Sequence, residues 1–233
     1  MKRILFDFET TGLNIFHDRI IQFCFLNLDT NEIFSNYVNP ERMISLEATQ
    51  KAHGLTNLDV ERYPTFKEQY NKILDFIGRN VYLIGHNVNN FDKNIFGFEL
   101  QRIGKKFPVN WKFVDTLPLA RYFLPHLKSY KQDVLREYFN ISNNNAHLAN
   151  KDVLDLQIIF QKMVNSTPIE ELYNISENER NKMPFGEFKG KYLKDINLNY
   201  LKKQYDNGCI TEERNFDLVR KIREIYVLKN KIL

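Results

Sequence analysis

Four residues near the start of the chain, Phe6-Asp7-Phe8-Glu9, constrain fold and chemistry more than any other segment. They close an apolar, β-type run over residues 3–8. In a strand, alternate side chains project to the same side, so Asp7 and Glu9 share one face and Phe6 and Phe8 the other. Two carboxylates side by side on a mostly apolar strand repel each other and lose hydration. A divalent cation between them relieves both costs, and an oxygen-only donor set selects hard ions such as Mg²⁺ or Mn²⁺. A strand end at which both acids reach water gives the same four letters, so the pair needs further acids to specify a site.

The surrounding pattern supplies a frame for that strand. Thr10-Thr11-Gly12 is turn chemistry, and residues 20–28 and 32–38, joined by Asp29-Thr30-Asn31, complete an antiparallel meander that Pro40 ends. A short helix is predicted at 46–52, closed by His53-Gly54. Pro64-Thr65 opens another, in which Phe66, Tyr70, Ile73, Leu74 and Ile77 recur at helical intervals. Short strands at 81–84 and 113–114 then alternate with helices at 90–103, 117–123, 131–139 and 150–164. Strands first and alternation afterwards predict an α/β protein, a mixed sheet flanked by helices. The polar stretch 167–181, with Pro168 just inside it, reads as a linker between a domain at 1–166 and a small α+β C-terminal module at 182–233. That module opens with a turn-rich or hairpin element and continues with helices near 199–207 and 211–228.

Charge separates the two parts. The 233 residues carry a net charge of +4, but residues 182–233 hold 12 Lys and Arg against 7 Asp and Glu, leaving 21 against 22 in the first 181. A basic tail is compatible with a polyanionic partner. The two cysteines, Cys24 and Cys209, form neither a disulfide framework nor a metal-ligand spacing, which points to a reducing compartment. The early acids Asp7 and Glu9 interrupt the N-terminal apolar run, and no segment is long and apolar enough to span a membrane. A cytoplasmic protein is expected.

Two further segments carry chemistry. In Gly85-His86-Asn87-Val88-Asn89-Asn90-Phe91-Asp92 a buried strand runs into a polar loop and an acid opens the next helix. Alone, such an acid reads as a cap or a partner of the helix dipole. In His147-Leu148-Ala149-Asn150-Lys151-Asp152 the acid lies in the first turn of a helix, with the histidine in the loop ahead of it. An acid that holds a cation and a histidine that takes a proton from an attacking water form a coherent pair. A helix-start acid with a surface histidine is the ordinary alternative. Asp155, about one turn further on, is a weaker rival to Asp152.

The ordered set Asp-x-Glu, His-Asn-x-x-x-Phe-Asp and His-x-Ala-x-x-Asp resembles the DEDDh exonucleases. These are the DnaQ-like family, which includes the proofreading epsilon subunit of bacterial replicative polymerases and ribonuclease T. The resemblance runs from about residue 2 to residue 164 and extends through Phe6-Asp7-Phe8-Glu9-Thr10-Thr11-Gly12-Leu13, His53-Gly54-Leu55-Thr56, Val114-Asp115-Thr116-Leu117 and Asp133-Val134-Leu135. It implies a ribonuclease-H-like fold, with a mixed five-stranded sheet, and 3′→5′ removal of 5′-mononucleotides from DNA or RNA. It implies that Asp7, Glu9 and Asp152 bind one Mg²⁺ or Mn²⁺ ion, that Asp7 with Asp92 binds a second, and that His147 is the general base. It also implies that Thr10, Thr11, Leu13, His53 and Phe91 hold the substrate: Thr10 through its backbone, Leu13 by packing on the terminal base. The expected partners are single-stranded or frayed 3′ ends. A polymerase partner and a homodimer are left open, as is the alternative of a non-catalytic or partner-dependent proofreading or scaffold protein.

The tail resembles, at Met183-Pro184-Phe185-Gly186 and Lys189-Gly190-Lys191, a small module of unassigned function found in some DnaQ-like proteins. Lys189, Lys191, Lys194, Lys202 and Lys203 interleave with Phe185, Phe188, Tyr192 and Tyr200. This pattern suits either phosphate neutralisation with base stacking or a small aromatic core ringed by solvated lysines.

Overall fold

A computed structural model describes residues 1–50, 54–141 and 149–230. The acidic run extends as β1 (Lys2–Thr10), which pairs antiparallel with β2 (Ile20–Asn27), and β2 pairs antiparallel with β3 (Ile33–Tyr37). Two short helical turns follow, α1 (Leu46–Ala48) and the unanticipated α2 (Asn57–Val60). Helix α3 (Phe66–Ile77) begins where Pro64-Thr65 predicts, because Thr65 and Glu68 cap each other reciprocally. Then come β4 (Val81–Gly85), α4 (Asp92–Arg102) and β5 (Trp111–Asp115). The sheet order is β3-β2-β1-β4-β5, with β4 parallel to both β1 and β5. This is the mixed five-stranded sheet of the ribonuclease-H-like fold.

Each sheet face has its own core. Phe6, Phe8, Phe23, Phe25, Leu83 and Phe113 pack against α3 and α4 through Phe66, Ile73, Ile95 and Phe96. On the other face lie Leu5, Cys24, Leu26, Tyr82, Ile84 and Val114. They are covered by α5 (Thr116–Phe123), α6 (Gln132–Tyr138), α7 (Ala149–Val164) and α8 (Ile169–Glu179).

Helix α8 corrects the expectation of a linker at 167–181. The segment packs on β5 and α5, with Leu172 and Ser176 wholly or almost wholly buried. The Ser176 hydroxyl accepts from the Asp115 N–H and donates to the Asp115 carbonyl, both at 3.2 Å. A small polar residue satisfied at the sheet edge leaves little hydrophobic period to read.

Beyond it, a bridge between Lys182 and Tyr192 closes a turn-rich loop, followed by α9 (Leu198–Asp206) and α10 (Glu212–Asn230). Met183, Leu193, Ile196, Leu201, Ile210 and Leu218 form a separate core. Phe185, Phe188 and Tyr200 pack against it, with the Phe188 and Tyr200 rings 4.6 Å apart. Arg180 binds Asp217 through two hydrogen bonds of 2.8 and 2.7 Å, and the Asp217 N–H donates to Asn90 Oδ1 at 3.1 Å. The C-terminal part is thereby tied to the loop that precedes α4. Among the described residues no helix is long and apolar enough to cross a membrane.

Candidate active site

Strand β1 carries Leu5, Asp7 and Glu9 on the side covered by α7, while Phe6 and Phe8 are locked into aromatic contacts with Phe25, Phe96 and Phe113. The register shifts between Glu9 and Thr10, which bends the strand end just past the acids. Asp152 arrives from the first turn of α7. Its carboxylate and those of Asp7 and Glu9 each offer an oxygen within 4.8 Å of the others. Asp92, at the first position of α4, is buried and completes the negative field at Asp7 and Glu9.

The loop before Asp92 is built to hold its shape. Gly85 ends β4 where a Cβ would lie 2.4 Å from a Val88 methyl and 2.9 Å from the Phe6 carbonyl, so only glycine allows the close approach. Buried Asp115 accepts from the Asn87 and Asn89 N–H groups at 2.8 and 3.1 Å, and from Leu117 at the start of α5. His86 Nδ1 lies 2.8 Å from the Thr116 hydroxyl, and burial pushes this imidazole down to about 4. His86 is therefore a neutral structural residue at physiological pH.

Arg136 is the site's chief surprise. It is buried beside the acids, with Nε 2.8 Å from Asp155 and its terminal nitrogens on Asp152 and Asp133. The same guanidinium holds both Asp152 and Asp155, but Asp152 alone of the two converges with Asp7 and Glu9. The sequence hints only at the Asp133–Arg136 pair, one helical turn apart; the other two partners lie 16 and 19 positions away.

Crowding raises the carboxyl pKa values. Burial, with Asp92, Glu9 and Asp152 nearby, holds Asp7 well above the usual carboxylate range. Burial and Asp152 push Glu9 up to about 8. Burial pushes Asp92 up to about 7, against the N–H groups of Asp92 and Phe8, which lower it. The donor set fits a hard divalent cation: oxygen only, convergent, and short of countercharge.

A stability prediction follows from these directions. In the unfolded chain Glu9 and Asp92 lose their protons near pH 4, whereas the metal-free fold retains them to about pH 7–8, and Asp7 is raised in the same direction. Through that window the unfolded state binds fewer protons, so stability falls as pH rises. The metal-free protein is expected to melt about 5 °C or more lower at pH 8.5 than at pH 5.5. Mg²⁺ should oppose the loss, and thermal melts with chelator and with the ion read both effects. A flat melting temperature between pH 5.5 and 8.5 would contradict the crowding.

The residues expected to hold substrate fall into three groups. Leu13 is 75% exposed beyond β1, and half-buried Phe91 precedes Asp92 at the edge of the α4 core. Thr10 donates its hydroxyl to the Gly12 carbonyl at 2.7 Å. Thr11 is fully buried, donating to Asp18 at 2.7 Å and accepting from the Arg19 N–H, so its side chain holds the turn. His53 and His147 lie outside the described residues.

The family model described as "Exonuclease" matches residues 4–160. The PolC-type DNA polymerase III of Clostridium perfringens is 32% identical over 207 residues, covering 85% of this chain and 13% of that protein. The DNA polymerase III epsilon subunit of Buchnera aphidicola is 29% identical over 193 residues, covering 77% of this chain and 76% of the relative. Among solved structures, Escherichia coli exonuclease I in complex with a dA16 oligonucleotide superposes with a TM-score of 0.64 at 21% identity, over 77% of this chain and 44% of that one. The chain thus spans a small fraction of the PolC-type polymerases and under half of exonuclease I.

Proposed function

Because the chain belongs to the DnaQ-like exonuclease family, we propose that it hydrolyses the terminal phosphodiester at 3′ ends, releasing 5′-mononucleotides one at a time. The observation that carries this reading is the convergence of Asp7, Glu9 and Asp152 beside buried Asp92. These four would hold two divalent ions, Mg²⁺ or Mn²⁺. Bound there, the ions would supply Lewis-acid stabilisation of charge on the attacking and leaving oxygens.

The chain's own groups do the rest. His147 takes a proton from the attacking water, whose oxygen bonds to phosphorus as the bond to the 3′-oxygen of the preceding nucleotide breaks. The products are a 5′-mononucleotide and a strand shortened by one, with a free 3′-hydroxyl. Exposed Leu13 packs on the terminal base, Thr10 holds the 3′ end through its backbone, and half-buried Phe91 borders the same space, while His53 is a further substrate contact on the family resemblance alone. Thr11 supports them by fixing the turn from beneath.

The test is digestion of 5′-labelled single-stranded DNA and RNA with Mg²⁺ or Mn²⁺. A ladder shortening from the 3′ end, abolished by chelator, is expected, and the relative rates identify the preferred sugar. An uncut substrate with both ions would overturn the catalytic reading as it stands. The names of the relatives favour one second reading, action on a polymerase's primer end. It predicts that the ladder strengthens when a replicative polymerase is added.

A further inference from the structure

A cleft of about 540 Å³ lies between the loop joining α5 to α6 and the Phe185-Gly186 turn of the C-terminal module. Among the described residues four cations line it, Arg121, Lys128, Lys131 and Lys189, and no carboxylate does. Such a wall of one sign in a concave surface concentrates anions. Arg121 is the informative member. It is half-buried, yet among the described residues its guanidinium makes no hydrogen bond or salt bridge. Asp115 and Glu179 act on it only at longer range, and Glu179 is itself paired with Lys182. A guanidinium kept partly from water, with its fork of donors free, is matched by a phosphate. Tyr130 gives the cleft an aromatic wall, with Lys189 Nζ 5.9 Å from its ring centre.

The cleft also has a direction. Gln132 lines it and donates its side-chain amide to the Asp152 carbonyl at 2.8 Å, so one end opens next to the acidic cluster. We propose that this cleft holds the phosphodiester backbone of a single strand a few nucleotides before the 3′ end that occupies the acidic site. The proposal rests on the exonuclease reading above and deepens it. It gives the C-terminal module a task, as the far wall of the strand's path, and a reason for its attachment through Arg180, Asp217 and Asn90.

The experiment compares wild type with the triple variant Lys128→Glu, Lys131→Glu, Lys189→Glu, all at exposed positions, and with Arg121→Gln. Two substrates are used, a dinucleotide that ends before the cleft and a 20-nucleotide thymidine strand. The triple variant is expected to raise KM for the long strand about tenfold or more with kcat unchanged, and to leave the dinucleotide's constants alone. In chelator, where binding is read without cleavage, the salt slope of 20-mer affinity should flatten by about 0.7 for each phosphate left without a cation. Equal KM on the long strand and an unchanged salt slope would overturn the proposal. A wild type that binds the 20-mer with the predicted, variant-sensitive slope but cuts neither substrate would keep the cleft and sink the exonuclease reading. Arg121→Gln should reproduce part of the KM rise, and a rise equal on both substrates would instead mark a general structural loss.

Discussion

Asp7→Asn is expected to lower exonuclease turnover by about a thousandfold or more, the scale of several kcal/mol of lost charge stabilisation, while making the metal-free protein harder to melt. The two effects share one cause. Asp7 stands among Glu9, Asp92 and Asp152, and burial plus their repulsion already favour its protonated form. Asparagine has the shape of that protonated form and never acquires the charge. Variant and wild type should therefore melt together near pH 5 and diverge as pH rises, the variant staying higher. With Mg²⁺ the order reverses, because wild type gains a ligand charge that the variant lacks. Paired melts at pH 5 and pH 9, with and without the ion, beside digestion assays, check all of this. If Asp7→Asn melted lower than wild type at pH 9 in chelator, the side chain would be holding the fold by some contact other than the repulsive one described.

Arg136→Met is expected to cost about 3–5 kcal/mol of stability, the usual penalty for stripping a buried charge of its partner. Methionine fills much of the volume but leaves Asp152 and Asp155 facing each other without a cation. Arg136→Lys should recover little, because a point charge cannot reach two carboxylates with separate nitrogens of one planar group. Adding Asp155→Asn to Arg136→Met should return part of the loss, since one of the stranded charges is then gone. Urea denaturation of the three variants reads the series. A loss below about 1 kcal/mol for Arg136→Met would place the guanidinium among ornamental ion pairs of the surface type.

The sheet was readable because its signals are local. Alternation in Phe6-Asp7-Phe8-Glu9 put the acids on one face, and the capping residues Thr65 and Glu68 sit three apart in the chain. Helix α8 was not readable, because its attachment is a serine hydroxyl matched to the backbone of Asp115, 61 positions away. Arg136 escaped for the same reason: in sequence it is one more charged helix residue, and its meaning resides in Asp152 and Asp155. The burial of Thr11, expected among the substrate-holding residues, was equally hidden, since its partner Asp18 is reached only after the chain turns. Pattern reports what a residue's neighbours in the chain require. Buried polar networks are set by neighbours in space.

The bond from Asp217 to Asn90 joins residues 127 positions apart, and this has a consequence in time. During synthesis domains form from the N-terminus onward. All five strands exist once Asp115 has been made, but Arg136, Asp152 and finally α10 follow much later. Until α7 docks, the face bearing Asp7 and Glu9 stays open to water, and the repulsion between them is screened. The sheet can therefore form early without its acids opposing it, and the acidic cluster is completed only once α7 arrives with Asp152. On the function proposed above, a ribosome-bound fragment ending before Asp152 would hold its sheet and lack a carboxylate that cutting requires.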